Sequence, residues 1–113
     1  MKEIKAIIQP FMADRGMDAL QQLPDVPGVT VSEVRGFGRR KPAEAPEKSE
    51  GTEISGAKKV KLEIVVPDGL AKKVTELIRQ HAHTGNPGDG KIFIYTVDDV
   101  IKVRTGESGE QAI

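Results

Sequence analysis

The chain has 113 residues, with 17 Lys and Arg against 17 Asp and Glu. That length fits one domain, and neutral balance removes the bulk attraction that nucleic acid or an anionic membrane would need. There is no cysteine, so disulfides, thiolate catalysis and Cys-ligated zinc are excluded. Aromatic residues make up only 4%, which argues against stacking on bases. Uninterrupted aliphatic runs such as Ala6-Ile7-Ile8 are too short for a bilayer span. Met1-Lys2-Glu3 leads directly into strand-like sequence without an apolar leader. The expectation is a soluble, cytoplasmic globular domain.

Ile4, Ala6 and Ile8 alternate within residues 3–9 and predict a strand, which Pro10 ends. Asp14 is the expected cap of a helix carrying Met17, Leu20 and Leu23, closed by Pro24, Pro27 and Gly28. Val29 to Phe37 reads as a second strand. Val60, Leu62, Ile64 and Val66 alternate with Lys61, Glu63 and Val65, the clearest strand in the chain. Asp68 is the expected cap of a helix bearing Leu70, Val74, Leu77, Ile78 and Ala82, with Gly85 as its stop. Ile92 to Val97 is a fourth strand, and Val100 to Arg104 adds a short fifth.

The order β-α-β-β-α-β is the ferredoxin-like α+β pattern: a four-stranded antiparallel sheet with both helices on one face. The other face then presents Ile7, Val65 and Ile94. Both helices being used, a further copy of the chain is the economical cover, and a homo-oligomer is expected. Phe93 reads as a core strand residue.

Two loops stand out. Segment 38–59 holds six basic and four acidic residues, with Ile54 its only large apolar one. It cannot build a core, and its length in a compact domain suits a partner-docking arm or a tolerated surface insertion. The 83–91 loop has Gly85, Gly88 and Gly90 followed by Lys91, the makeup of a phosphate-holding concavity. It lacks the spacing and following helix of a Walker A motif. Basic residues recur near strand ends at Arg39, Arg40, Lys59, Lys91, Lys102 and Arg104. Catalytic groups are scarce. His81 and His83 are two apart at a helix end and do not share a face, so they read as a solvated terminus. Asp98-Asp99 reads as a turn cap.

Several separated blocks carry a resemblance over essentially the whole chain. They are Ala6-Ile7-Ile8-Gln9-Pro10-Phe11; Thr30 to Arg39 with its Gly36-Phe37-Gly38 run; Lys59 to Asp68; Thr84-Gly85 through Phe93; and Val100 to Glu107. On these the chain resembles the PII nitrogen-regulatory signalling proteins. The resemblance implies a non-enzymatic homotrimer of ferredoxin-like subunits that binds ATP or ADP in three clefts between them. Segment 38–59 would be the T-loop that docks into a membrane transporter or metabolic enzyme, 83–91 the B-loop and 105–113 the C-loop. Gly88, Asp89, Gly90 and Lys91, with Thr84, would hold the phosphates, joined by Lys102 and Arg104 from the neighbouring subunit. Gly36, Phe37, Gly38 and Arg39, with Ile8, Thr30, Glu63 and Val65, would line the rest, and Lys59 would be the lysine at the T-loop base.

Three departures matter. Members that sense 2-oxoglutarate with magnesium carry glutamine where this chain has Arg40, and a guanidinium cannot ligate magnesium. Arg40 instead suits direct contact with phosphate or a small anion. Uridylylated members carry tyrosine where this chain has Thr52, and the one tyrosine here is Tyr95. Lys102 stands where many members have arginine, which weakens bidentate phosphate contact there. Three alternatives follow: regulation of a transporter outside nitrogen control, slow nucleotide hydrolysis, and a metal response through His81 and His83.

Overall fold

The computed structural model describes residues 1–38 and 56–113. Strands β1 (Lys2–Ile8), β2 (Thr30–Gly36), β3 (Ala57–Val66) and β4 (Gly90–Thr96) form one sheet in the order β2-β3-β1-β4. Every neighbouring pair is antiparallel. Helices α1 (Pro10–Gln21) and α2 (Asp68–Ala82) pack on each other, α2 against β1 and α1 against β3. This is the ferredoxin-like arrangement that the element order predicts.

Alternation fixes what faces what. Ile4, Ala6 and Ile8 on β1, and Val60, Leu62, Ile64 and Val66 on β3, are buried with Leu20, Val74 and Ile78 of the helices. The opposite parity forms the open face: Glu3, Lys5 and Ile7; Lys59, Lys61, Glu63 and Val65; Thr30, Ser32 and Val34; and Lys91, Phe93 and Tyr95. Ile7 and Val65 therefore lie where expected. Ile94 does not, because its register with Ile4 puts it on the helix side, where it stays 52% exposed on an edge strand. Phe93 is likewise no core residue. It lies on the open face opposite Lys5, whose ammonium sits 5.5 Å from its ring and 4.8 Å from that of Tyr95.

The element ends also differ from the sequence reading. Helix α1 begins at Pro10, not after Asp14, because proline at the first helical position has its φ preset and no N–H to waste. Asp14 is an exposed residue within the helix. Asp68 is the first residue of α2 rather than its cap, and Oδ1 lies 2.8 Å from the Met1 ammonium. That pairing holds its carboxyl below the usual carboxylate range. Helix α2 stops at Ala82 because His83 is already extended, leaving Gly85 (φ +89°) inside the following loop. Strand β3 starts three residues before Val60, at Ala57. Val100 to Arg104 forms no strand. It belongs to a tight turn closed by the single bridge between Ile101 and Ser108, followed by a 3-10 turn at Glu110–Ala112.

Ile4 is fully buried. Ile4→Ala is expected to cost about 2–5 kcal/mol in urea unfolding. Lys73→Ala, at an exposed position of α2, is expected to stay within about 0.5 kcal/mol. Equal losses would contradict the core assignment.

Candidate functional site

The 83–91 loop is held by one carboxylate. Asp89 accepts hydrogen bonds from the Thr84 hydroxyl, the Thr84 amide (2.8 Å) and the Gly85 amide (2.9 Å). The Thr84 bonds, and then that of Gly85, hold the Asp89 carboxyl below the usual carboxylate range. This bracing folds the loop back on itself and brings Gly88 to Lys59, whose ammonium donates to the Gly88 carbonyl at 2.6 Å. The loop is also pressed against β1. A Cβ on Gly90, which has φ +105°, would fall on the Ile7 carbonyl oxygen. A Cβ on Gly88, at φ +97°, would stand 2.9 Å from Gln9 Nε2. Glycine is required at both positions.

Lys91 extends from this loop onto the open face, opposite Ile7, which also faces Lys61. Lys59, Lys61 and Lys91 thus surround Ile7 at one end of that face. This is an anion-attracting end built by strand register rather than by adjacency in the chain. Gly36 pairs with Ala57 and leads into Phe37, which is 83% exposed, and Gly38. Arg39, Arg40 and Thr52, with the rest of segment 39–55, lie outside the described residues.

The remaining predicted residues sit elsewhere. Thr30 is opposite Glu63 on the open face. With Val65 they line a recess of about 420 Å³ bounded by Pro27, Gly28, Val100, Ala112 and Ile113. Glu63 makes an ion pair with Lys61 at 3.4 Å. Lys102 and Arg104 are carried on the C-terminal turn, where the Lys102 amide donates to Glu107 and the Gly106 amide to Lys102, both at 2.8 Å. Asp99 ties that turn down as a cap, accepting from the Val100 and Gly109 amides through one oxygen.

Thr30 on β2 and Lys91 on β4 occupy opposite edges of a four-stranded sheet. Three strand spacings put roughly 14 Å between those two edges. Within one chain the recess and the glycine-rich loop are separate half-sites.

Ile8 faces away from the open side and borders a cleft on the helix side of the sheet, beside His83, Asp89, Gly90 and Lys91. Its side chain is 2% exposed and lies in the core beneath the helices. The residue on the open side is Ile7, and the alternation of Ile4, Ala6 and Ile8 carries the signal that distinguishes them. Gln9, Pro27, Gly28, Ala112 and Ile113 were not anticipated, because only folding brings them beside the loop or the recess. His81 Nδ1 lies 2.9 Å from the Leu77 carbonyl oxygen. His81 borders a cleft between the helices and His83 a different one beside Asp89 and Lys91, so the two rings do not converge.

The described residues thus form a ferredoxin-like sheet with an open face and a braced glycine-rich loop next to lysines. Comparison with known proteins assigns this arrangement to a family. The family model described as nitrogen regulatory protein P-II matches residues 1–107. The chain is 43% identical over 113 residues to the nitrogen regulatory protein P-II of Azospirillum brasilense, covering all of both chains. It is 47% identical over 115 residues to that of Pasteurella multocida, again at full coverage. The crystal structure of Arabidopsis thaliana PII bound to citrate superposes with a TM-score of 0.79 and 41% identity, covering 99% of this chain and 91% of that one. The chain belongs to the nitrogen regulatory protein P-II family.

A carboxyl with a lowered pKa stabilises the folded loop fully above its unfolded value, near 3.8 for aspartate, and loses that contribution as pH falls through the lowered value. The protection of the Thr84 and Gly85 amides, taken as exchange relative to the intrinsic rate at each pH, should therefore be high at neutral pH and fall only in acid. Asp89→Asn should lower it at neutral pH. Unchanged protection in that variant would remove Asp89 as the brace.

Proposed function

We propose that this is a non-enzymatic, cytoplasmic signalling protein of the PII type, a homotrimer that binds ATP or ADP, with AMP as a further ligand, between subunits. The observation that carries the reading is the division of the site into two half-sites at opposite edges of the sheet. The glycine-rich loop of one copy, with Lys59 and Lys91, would hold the phosphates. The recess of Thr30, Glu63 and Val65 would receive the rest of the nucleotide. Lys102 and Arg104, on a turn that also exposes Ile101 and Val103, would reach the cleft from the neighbouring copy. Gly36, Phe37, Gly38, Arg39 and Arg40 complete the set in this reading. Among the described residues no helix is long and apolar enough to cross a membrane.

The regulatory step would pass through the Lys59–Gly88 bond. It joins the base of segment 38–59 (the T-loop) to the 83–91 loop (the B-loop), so a phosphate that draws Lys59 away releases that tie. Nucleotide can bias the T-loop only by favouring one of its states. The docked partner is a membrane transporter or a metabolic enzyme. Arg40 favours direct contact with phosphate or a small anion over magnesium-dependent 2-oxoglutarate binding. Citrate is the anion in the Arabidopsis thaliana structure, and the lysine-lined end of the open face suits such anions here.

Titration calorimetry with ATP, ADP and AMP, each with and without magnesium and 2-oxoglutarate, tests the proposal. Adenine-nucleotide binding is expected, weakened roughly tenfold or more by Lys91→Ala, with no magnesium-dependent gain from 2-oxoglutarate. Absence of nucleotide binding would overturn the nucleotide reading, and strong 2-oxoglutarate synergy would overturn the role given to Arg40.

A further inference from the structure

Among the described residues, the open face carries one carboxylate without a cation of its own. Glu3 on β1 stands opposite Val65 and Tyr95, while Glu63 on β3 stands opposite Lys5 and Thr30. Glu3 and Glu63 are therefore diagonal neighbours on one face, within reach for long side chains. The nearby cations are engaged elsewhere. Lys61 pairs with Glu63 at 3.4 Å, and Lys5 lies over the rings of Tyr95 and Phe93. Among the described residues no cation lies within ion-pair distance of Glu3. Strand β2 adds Thr30, Ser32 and Val34 on this face, none of them charged, and Lys59 and Lys91 lie toward its other end.

We propose that the open face closes on further copies of this chain with uptake of a proton at Glu3, beside Glu63, so that assembly tightens as pH falls. This rests on the trimeric reading above. The occupant is a further copy, because the half-sites flanking this face need one to be complete. Ile7, Val65, Phe93 and Tyr95 also offer it apolar surface. Closing the face removes water from Glu3, and an ionised carboxylate so buried without a partner is replaced by its neutral form. The shift has already begun in the single chain. Burial first, then the neighbouring Glu63 carboxyl, holds the Glu3 carboxyl above the usual carboxylate range, and Lys5 and Lys61 oppose this only weakly. A group whose pKa rises on association strengthens association below that pKa and weakens it as pH rises through it.

Subunit exchange between donor- and acceptor-labelled preparations, with sedimentation on dilution, tests this from about pH 5.5 to about pH 8.5, the range above ordinary carboxylate titration. The dissociation constant is expected to rise with pH, up to roughly tenfold per unit for each proton linked. Glu3→Gln is expected to abolish the dependence and keep the tight assembly at the alkaline end. Its unchanged circular dichroism would show that the fold is kept. A wild-type trimer indifferent to pH would overturn the proposal alone. So would a Glu3→Gln variant that dissociates more readily at neutral pH, since that means a neighbour's cation pairs with the carboxylate. A chain that stays monomeric at every pH would overturn the trimeric reading together with it.

Discussion

Burial of one parity of two central strands organises this protein. Once Ile4, Ala6 and Ile8 on β1 and Leu62, Ile64 and Val66 on β3 are under the helices, every odd residue of those strands is committed to the other face. That commitment puts Ile7 between Lys61 and Lys91, seats Lys5 over two aromatic rings, and sets Glu3 diagonal to Glu63. A slip of one residue would exchange these groups for core isoleucines, so the chemistry of the open face is a by-product of the apolar core.

The same sheet separates what the site needs together. Edge strands β2 and β4 carry Thr30 and the lead into the glycine-rich loop, with two strands between them. Asp89 and the two crowded glycines at 88 and 90 give the loop a fixed shape without a ligand, so binding need not order it first. The recess beside Thr30 is walled by the chain's own C-terminal residues. In the function proposed above, preformed halves that cannot meet within a chain would make binding read the assembled state, and the Lys59–Gly88 bond would give it a route toward the long charged loop.

Much of this was legible beforehand. Period-two alternation in residues 60–66 and helical spacing in residues 70–82 fix the central strand and its covering helix, because burial imposes those periods directly. Ends were less legible. Asp14 and Asp68 have the right chemistry for caps, yet Pro10 and the Met1 ammonium take the positions that decide the outcome. Ile94 and Phe93 exchange faces relative to the sequence reading because alternation fixes parity only once the partner register is known. The resemblance carried by short blocks located the glycine-rich loop, while alternation alone shows that Ile8 turns toward the core and Ile7 toward the open face.

The sequence by itself determined the family, the element order and the glycine-rich loop with its flanking lysines, since each is written in local spacing and residue type. Only the tertiary structure decided which neighbours those residues acquire. Lys59 meets Gly88 across 29 positions, and Asp99 caps Gly109 across ten. Glu3 comes beside Glu63 through strand pairing. Contacts of this kind depend on register and chain reversal, which no local window of sequence encodes.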